Sequence, residues 1–346
     1  MKAVRYYGPG DRRLEEVGEP RIQDPGDAVV KIQTFTICGT DLHILRGHVP
    51  EVRPGTVLGH EAVGVVEEVG PAVRRFRPGD RVLVPAISAC GICSYCRKQM
   101  YGQCENGGGW VFGHLIDGLH AERARVPFAD TSLYSLPAEL DDEDVIFLAD
   151  ILPTGYECGI VRGQVRPGCS VAIVGAGPIG LSALLTSRFH GPRMTIVIDL
   201  DDNRLELARS LGADHVLNPS RQDVQREVMS LTDGGVDVAI EAVGVPDTFE
   251  LCTELVRPGG SIANIGVHGS PVTLHLERLW IKDVTITTQL VDGNTIPLLL
   301  GLIQSRRLDP RPLATHTFTF DRVLEAYDVF ANASQTRACK VLVKIS

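Results

Sequence analysis

Val171-Ala172-Ile173-Val174-Gly175-Ala176-Gly177-Pro178-Ile179-Gly180, with Met194-Thr195-Ile196-Val197-Ile198-Asp199 following it, decides the reading of this chain. A short run of buried β-branched residues leads into G-x-G-x-x-G, which predicts a strand, a tight turn and the start of a helix. The first two glycines, Gly175 and Gly177, permit the turn and a close backbone approach to a pyrophosphate. Gly180 lets helix and strand pack closely, and Pro178 and Ile179 open the helix, whose N-terminus offers unpaired N–H groups to phosphate. The second strand ends on Asp199, where a carboxylate accepts from the two hydroxyls of an adenosine ribose and repels a 2′-phosphate. The expected cofactor is therefore NAD and not NADP.

Outward from this centre, the segment from Cys169 to about Gln289 alternates strands, near 171, 194, 215, 236, 261 and 285, with helices. That alternation defines an α/β fold with a doubly wound parallel sheet. Asp201 to Leu211 reads as an amphipathic helix stopped by Gly212, and Arg257-Pro258-Gly259-Gly260 as a turn into Ser261-Ile262-Ala263-Asn264-Ile265. From Lys2 to about Asp150 the texture is different: short strands such as Ala28–Gln33, Val63–Val69 and Arg81–Val84 are broken by turns, which predicts a β-rich domain. After Thr295 come a helix to about Ser305, a strand over 315–320, a helix over 321–330 and a last strand over 340–345.

The bulk properties bound the function. The chain has 346 residues, 44% of them hydrophobic, and a formal charge of -9. That is enough for two domains with proper cores. Net acidity excludes a nucleic-acid partner, since phosphate binding needs a basic face. The most apolar run, Val171 to Leu185, is interrupted by glycine and proline and is shorter than the ~20 residues of a bilayer span, so no membrane segment is expected. The amino terminus alternates like a strand and lacks the apolar core of a signal peptide, so the expected location is cytoplasmic.

Nine cysteines are present, and four crowd into Cys90-x2-Cys93-x2-Cys96-x7-Cys104. In a reducing compartment this spacing points to a closed, tetrahedral, structural zinc site. Cys158, Cys169, Cys252 and Cys339 read as small core hydrophobes. A second constellation is dispersed: Cys38-Gly39-Thr40-Asp41-Leu42-His43, Gly59-His60-Glu61, and Asp150. One thiolate, one imidazole and one carboxylate match the three protein ligands of a catalytic zinc, with a fourth position open. Taken singly, Cys38 also fits a buried thiol, His60 a turn histidine and Asp150 a helix cap. His48, His114, His120 and the other histidines have no partner at ligand spacing and read as surface or turn residues. The acidic run from Glu139 to Asp144 reads as a solvated helix start.

Together, Cys38-x4-His43, Gly59-His60-Glu61-Ala62-x-Gly64-x5-Gly70, the four-cysteine lobe and the Gly175 turn resemble the zinc-dependent alcohol dehydrogenases of the medium-chain dehydrogenase/reductase superfamily. The resemblance spans nearly the whole chain. It implies a GroES-like β-rich catalytic domain over residues 1–150 and 291–346, with a zinc lobe over 88–106, and a Rossmann NAD-binding domain over 151–290. An active site in the cleft between them is implied as well. It further implies two zinc ions per chain, the catalytic one held by Cys38, His60 and Asp150 with Glu61 behind it as an alternate ligand. Thr40 would hydrogen-bond the substrate oxygen, and His43 would finish a proton relay to solvent. Thr154, in a turn beneath the nicotinamide, Asp199 and Arg204 at the adenosine ribose, Ile265-Gly266-Val267 at the nicotinamide and Lys340 at the pyrophosphate would hold the cofactor. Trp110, together with Ile116-Asp117-Gly118, is similar to the bacterial secondary-alcohol branch and would line the substrate pocket.

The implied activity is reversible hydride transfer from a primary or secondary alcohol to NAD, giving an aldehyde or ketone. Polyol, amino-alcohol or formaldehyde oxidation on the same scaffold is the alternative, and a zinc-binding redox-sensing module is the non-enzymatic one. By resemblance the chain is a homotetramer, pairing through the edge strand over 283–290.

Overall fold

The computed structural model describes residues 1–345, in two compact units: residues 1–150 with 292–345, and Ile151–Val291. The architecture is a GroES-like β-rich unit and a Rossmann-type parallel-sheet unit. Among the described residues no helix is long and apolar enough to cross a membrane.

The first unit is organised by its longest strand, Ala28–Ile37. On one side it pairs antiparallel with Ala62–Val69, which pairs in turn with Arg81–Val84, and Arg123–Val126 joins its first half. On the other side the C-terminal strand Lys340–Lys344 runs antiparallel to it, Val341 opposite Ile37, and carries Ala314–Thr319 at the edge. The central strand runs four residues beyond the expected Gln33, because Thr34-Phe35-Thr36-Ile37 is itself β-branched and aromatic. That extension delivers Cys38 to the end of the sheet. Phe35, Ile37, Ala62, Val84, Val341 and Tyr327 are buried together in one core.

In the second unit six parallel strands lie in the order His215–Leu217, Met194–Ile198, Ser170–Val174, Val236–Glu241, Val256–Asn264, Thr285–Thr288. The strand before the glycine turn is buried throughout, as a sheet covered on both faces requires. The expected turn at Arg257–Gly260 is a bulge inside a longer strand. Val256 pairs with Val236 and Ser261 with Val238, so four residues loop out of the ladder, with Gly259 left-handed at φ 72. Pro153-Thr154-Gly155-Tyr156 also corrects its expectation: it is no turn, since a helix over Ile151–Thr154 continues as a π-helix over Gly155–Val161. The acidic run does start a helix, Asp142–Val145, capped by Asp141, but it is not simply solvated. Asp142 pairs with Arg81, and buried Asp144 pairs with Arg311.

Candidate active site

Three separate features of the first unit bring Cys38, His60, Glu61 and Asp150 together. Cys38 ends the central strand and caps the helix Gly39–Leu45; the Asp41 carboxylate closes the cap by accepting the Cys38 N–H at 2.8 Å. His60 follows Gly59, whose φ of 94 belongs to the left-handed region. A Cβ at Gly59 would lie 2.1 Å from the His120 ring, so only glycine fits between that ring and the turn. His120 is itself fixed, in contact with the Tyr327 hydroxyl at 2.7 Å and the Thr36 carbonyl, and burial pushes it down to about 4, which keeps it neutral. Asp150 closes the helical turn Ile146–Ala149, whose Ala149 carbonyl accepts the Ala86 N–H at 2.9 Å.

The result is a buried set of four ligand atoms, all within 4.8 Å of one another. Cys38 Sγ lies 3.5 Å from Asp150 Oδ2, and His60 Nε2 lies 3.8 Å from both Asp150 Oδ2 and Glu61 Oε1. Zinc bonds of about 2.3 Å to sulfur and about 2.0 Å to oxygen, at the tetrahedral angle, separate the two ligand atoms by about 3.5 Å. The electrostatics also call for a cation. Burial and the neighbouring Glu61 and Asp150 raise the Cys38 thiol, so the thiolate is unfavourable without added positive charge. Burial opposes charge on His60, yet Asp150, Asp41 and Cys38 outweigh it and raise the imidazole well above its ordinary value. The residues fit a bound zinc ion.

Two residues around this set carry functions the sequence reading did not assign. Asp41 Oδ1 is buried without a hydrogen-bond partner and lies 3.7 Å from His60 Nδ1, which is also unpartnered. A carboxylate behind the far nitrogen of a ligating imidazole fixes its tautomer and orientation. Its signal was present: an acid three residues after Cys38 in a capping position. Lys340 makes contacts that its expectation did not include. Its Nζ is fully buried and donates to both Glu61 oxygens, at 2.8 and 2.9 Å, and to the Ile37 carbonyl at 3.1 Å. It therefore points at the ligand cluster, where its donors are taken up by Glu61 and the Ile37 carbonyl. Burial opposes the Lys340 charge, but Glu61 more than offsets it and raises the ammonium above its ordinary value. Burial, with Asp150 beside it, pushes Glu61 up to about 7 against the pull of Lys340 and His60; the bidentate contact favours the ionised pair.

Thr40 is half-buried with its hydroxyl 3.8 Å from Cys38 Sγ. His43, one turn along the same helix, is half-buried, and burial, His48 and Arg46 all lower its imidazole, leaving it neutral near pH 7. Trp110 meets His60 edge-on, ring centroids 6.3 Å apart, and stacks on His114 at 4.2 Å. Its indole Nε1 is buried without a partner.

The four cysteines of the lobe form a second set within 4.8 Å, with Cys90 and Cys96 sulfurs 3.9 Å apart, close to the ~3.8 Å edge of a zinc–thiolate tetrahedron. Backbone N–H groups of Cys93 and Cys96 donate to Cys90 and Cys93 Sγ, both at 3.4 Å. Such donors hold the Cys93 thiol down to about 6. This set also fits zinc, with no position left open.

In the second unit, Gly177 caps the helix Pro178–Ser187, and a Cβ there would meet nothing within 4 Å, leaving room for a phosphate above the turn. At Gly180 a Cβ would lie 1.8 Å from the Gly175 carbonyl oxygen, so that glycine serves packing. Asp199 accepts from the Ala176 N–H at 2.7 Å and the Asp201 N–H at 2.8 Å, and Arg204 stands 3.8 Å away. Ile265 and Gly266 N–H groups donate to the Glu241 carbonyl, and Val267 is exposed. The donors and open space fit a dinucleotide.

Comparison with known proteins agrees with this geometry. Residues 24–138 match the family described as alcohol dehydrogenase GroES-like domain, and residues 178–305 the one described as zinc-binding dehydrogenase. An alcohol dehydrogenase of Cupriavidus necator is 41% identical over 352 residues, spanning 96% of this chain and 95% of its own. Among solved structures, the apo form of zinc dependent alcohol dehydrogenase 2 from Streptococcus pneumonia matches with a TM-score of 0.96 and 48% identity, over 100% of this chain and 99% of its own. Alcohol dehydrogenase TADH from Thermus sp. ATN1 matches with a TM-score of 0.92 and 40% identity over 100% of both chains. The chain belongs to the zinc-dependent alcohol dehydrogenase family of the medium-chain dehydrogenase/reductase superfamily. It is accordingly an oxidoreductase that acts on alcohols.

Proposed function

We infer that the protein oxidises small primary or secondary alcohols with NAD, reversibly, to aldehydes or ketones, and holds one catalytic and one structural zinc ion. The observation carrying this reading is the buried meeting of Cys38, His60 and Asp150, with Asp41 behind the imidazole. Cys38, His60 and Asp150 would hold the catalytic ion, and Cys90, Cys93, Cys96 and Cys104 the structural one. Zinc in the first set supplies a Lewis acid that lowers the pKa of an alcohol hydroxyl, and the nicotinamide supplies the hydride acceptor.

The chain's own residues do the rest. Lys340 keeps Glu61 turned toward its ammonium, which favours the three-ligand set over one that includes Glu61. Thr40 orients the alcohol oxygen and passes on its proton, and neutral His43 receives it. Trp110 forms an apolar wall beside His60 that excludes water from the reacting carbon. Gly175, Gly177, Pro178, Ile179 and Gly180 cradle the pyrophosphate, and Thr154, Ile265, Gly266 and Val267 position the nicotinamide. Asp199 and Arg204 hold the ribose, the Asp199 carboxylate selecting NAD.

The protein is proposed to work in the cytoplasm as a homotetramer, its subunits pairing through the strand Thr285–Thr288, which is one of the two edges of its sheet among the described residues. Initial rates over primary, secondary and cyclic alcohols, polyols, amino alcohols and formaldehyde, each with NAD and with NADP, test the substrate and cofactor. Activity with NADP alone, or with none of these donors, would contradict the reading. A monomer in sedimentation at working concentrations would overturn the assembly.

A further inference from the structure

The helix that carries Cys38, Thr40 and His43 ends in a way that has chemical consequences. The Gly47 N–H donates to the Ile44 carbonyl at 2.9 Å and the His48 N–H to the His43 carbonyl at 3.0 Å. This is the paired hydrogen-bond pattern of a Schellman C-cap, with Gly47 in the left-handed conformation at φ 78 that the motif needs. The motif folds the second residue past the cap back over the residue five before it, and that contact is commonly apolar. Here it joins two imidazoles. His43 Nδ1 and His48 Nδ1 lie 3.1 Å apart, with ring centroids 5.4 Å apart. His43 is half-buried, whereas His48 is exposed to solvent. Two ring nitrogens at this distance form a hydrogen bond when one carries the proton and the other accepts it.

We propose that His48 is the outlet of the proton path: His43 hands its proton to His48, and His48 releases it to water. The proposal rests on the reading of His43 as proton acceptor and extends it by one residue. The step balances without any co-reactant. A proton arrives at His43 Nε2, the Nδ1–H of His43 passes to His48 Nδ1, and the proton on His48 Nε2 leaves to solvent. One proton enters, one leaves, and both rings end in the opposite tautomer; exchange with water at exposed His48 and at half-buried His43 resets each ring. Burial and the neighbouring His48 and Arg46 all disfavour the His43 imidazolium, so a proton does not rest there. His48 is a positioning and relay residue and not a catalytic one, since it touches neither substrate nor the reacting atoms.

The experiment uses the full-length, metal-loaded enzyme and follows protons appearing in the medium with an indicator dye in stopped flow, at pH 7 and low buffer. The variants are His48→Phe, which keeps an apolar cap contact, His48→Gln, which keeps a polar one, and His43→Ala. General acid–base groups contribute about 10²–10⁴-fold, and an outlet step carries a small part of that, so both His48 variants should release protons about two- to tenfold more slowly. KM for the alcohol should not change, and added imidazole should restore the rate. NMR titration of 13C-labelled histidine should also show the His43 pKa moving up once the His48 ring is gone. If His43→Ala is slow while both His48 variants keep the wild-type rate and buffer dependence, the outlet is refuted and the acceptor role of His43 stands. If His43→Ala is itself as fast as wild type, the underlying reading fails with it. A loss in the His48 variants that imidazole does not restore marks a purely structural role and also refutes the outlet.

Discussion

Lys340→Met tests whether the buried ammonium holds the ligand cluster in shape. In the wild type both partners are fully buried, and the contact is bidentate at 2.8 and 2.9 Å. Removing Lys340 strands the Glu61 carboxylate next to Cys38 and Asp150, with no positive side chain left except His60. Removing one partner of a buried pair costs about 3–5 kcal/mol, because the remaining charge is left uncompensated. With a urea slope near ~3 kcal/mol/M, the unfolding midpoint of the first unit should fall by about 1–2 M. Trp110 lies in that unit and Trp280 in the other, and Trp280 is 72% exposed, so a Trp280→Phe background makes fluorescence report the first unit alone. Glu61→Gln combined with Lys340→Met should lose less than the sum of the two single changes, since neither buried charge remains. A midpoint shift below ~0.3 M for Lys340→Met, or strict additivity in the double variant, would refute the ion pair as an organising contact.

Three further outcomes are expected. Gly59→Ala forces a left-handed backbone on alanine and drives its Cβ into His120, so stability should fall by about 2–5 kcal/mol, read as a lowered Tm; an unchanged Tm would mean the turn and ring can part easily. His120 has its folded pKa pushed down to about 4 from 6.5, so the folded state binds fewer protons than the unfolded one between those values. Stability is therefore complete above about 6.5 and is lost as pH falls toward 4, and a Tm profile from pH 7 to 4 should slope downward, more steeply than in a His120→Asn variant. Asp199→Asn keeps an acceptor for only one of the Ala176 and Asp201 N–H groups, which bond different carboxylate oxygens, and removes the charge facing a 2′-phosphate, so the preference for NAD over NADP in kcat/KM should drop about ten- to hundredfold; an unaltered ratio would place cofactor selection elsewhere.

The parallel sheet was legible because its signals are local: buried runs end at Gly175 and Asp199, and each strand is followed by a helix at ordinary spacing. The cysteine lobe was legible for the same reason, its four sulfurs being close in sequence. Local patterns were less informative where tertiary contacts decide the outcome. Arg257–Gly260 has turn composition, yet Val256 pairs with Val236 before it, so the turn is absorbed as a bulge. Thr154 follows a proline and precedes a glycine, yet the segment is helical.

At the site, Cys38, His60 and Asp150 had separate and ordinary explanations, and only the family resemblance joined them before the structure did. Lys340 shows the limit best. It reaches Glu61 because Lys340–Lys344 pairs beside Ala28–Ile37, a register set by residues some 300 positions apart, and no spacing pattern encodes it. Asp41 and His48 were visible as residues, but their partners, His60 Nδ1 and His43 Nδ1, are fixed by a cap at each end of one short helix.

The most direct test of the account is zinc per chain measured during graded chelation, with alcohol-dependent reduction of NAD followed on the same samples. The account predicts two ions at the start and the loss of all activity with the first ion removed. A folded protein retaining the ion of the Cys90–Cys104 lobe should remain, and activity should return when zinc is added back. A single ion per chain from the outset, or full activity after the Cys38, His60 and Asp150 set has been emptied, would contradict it.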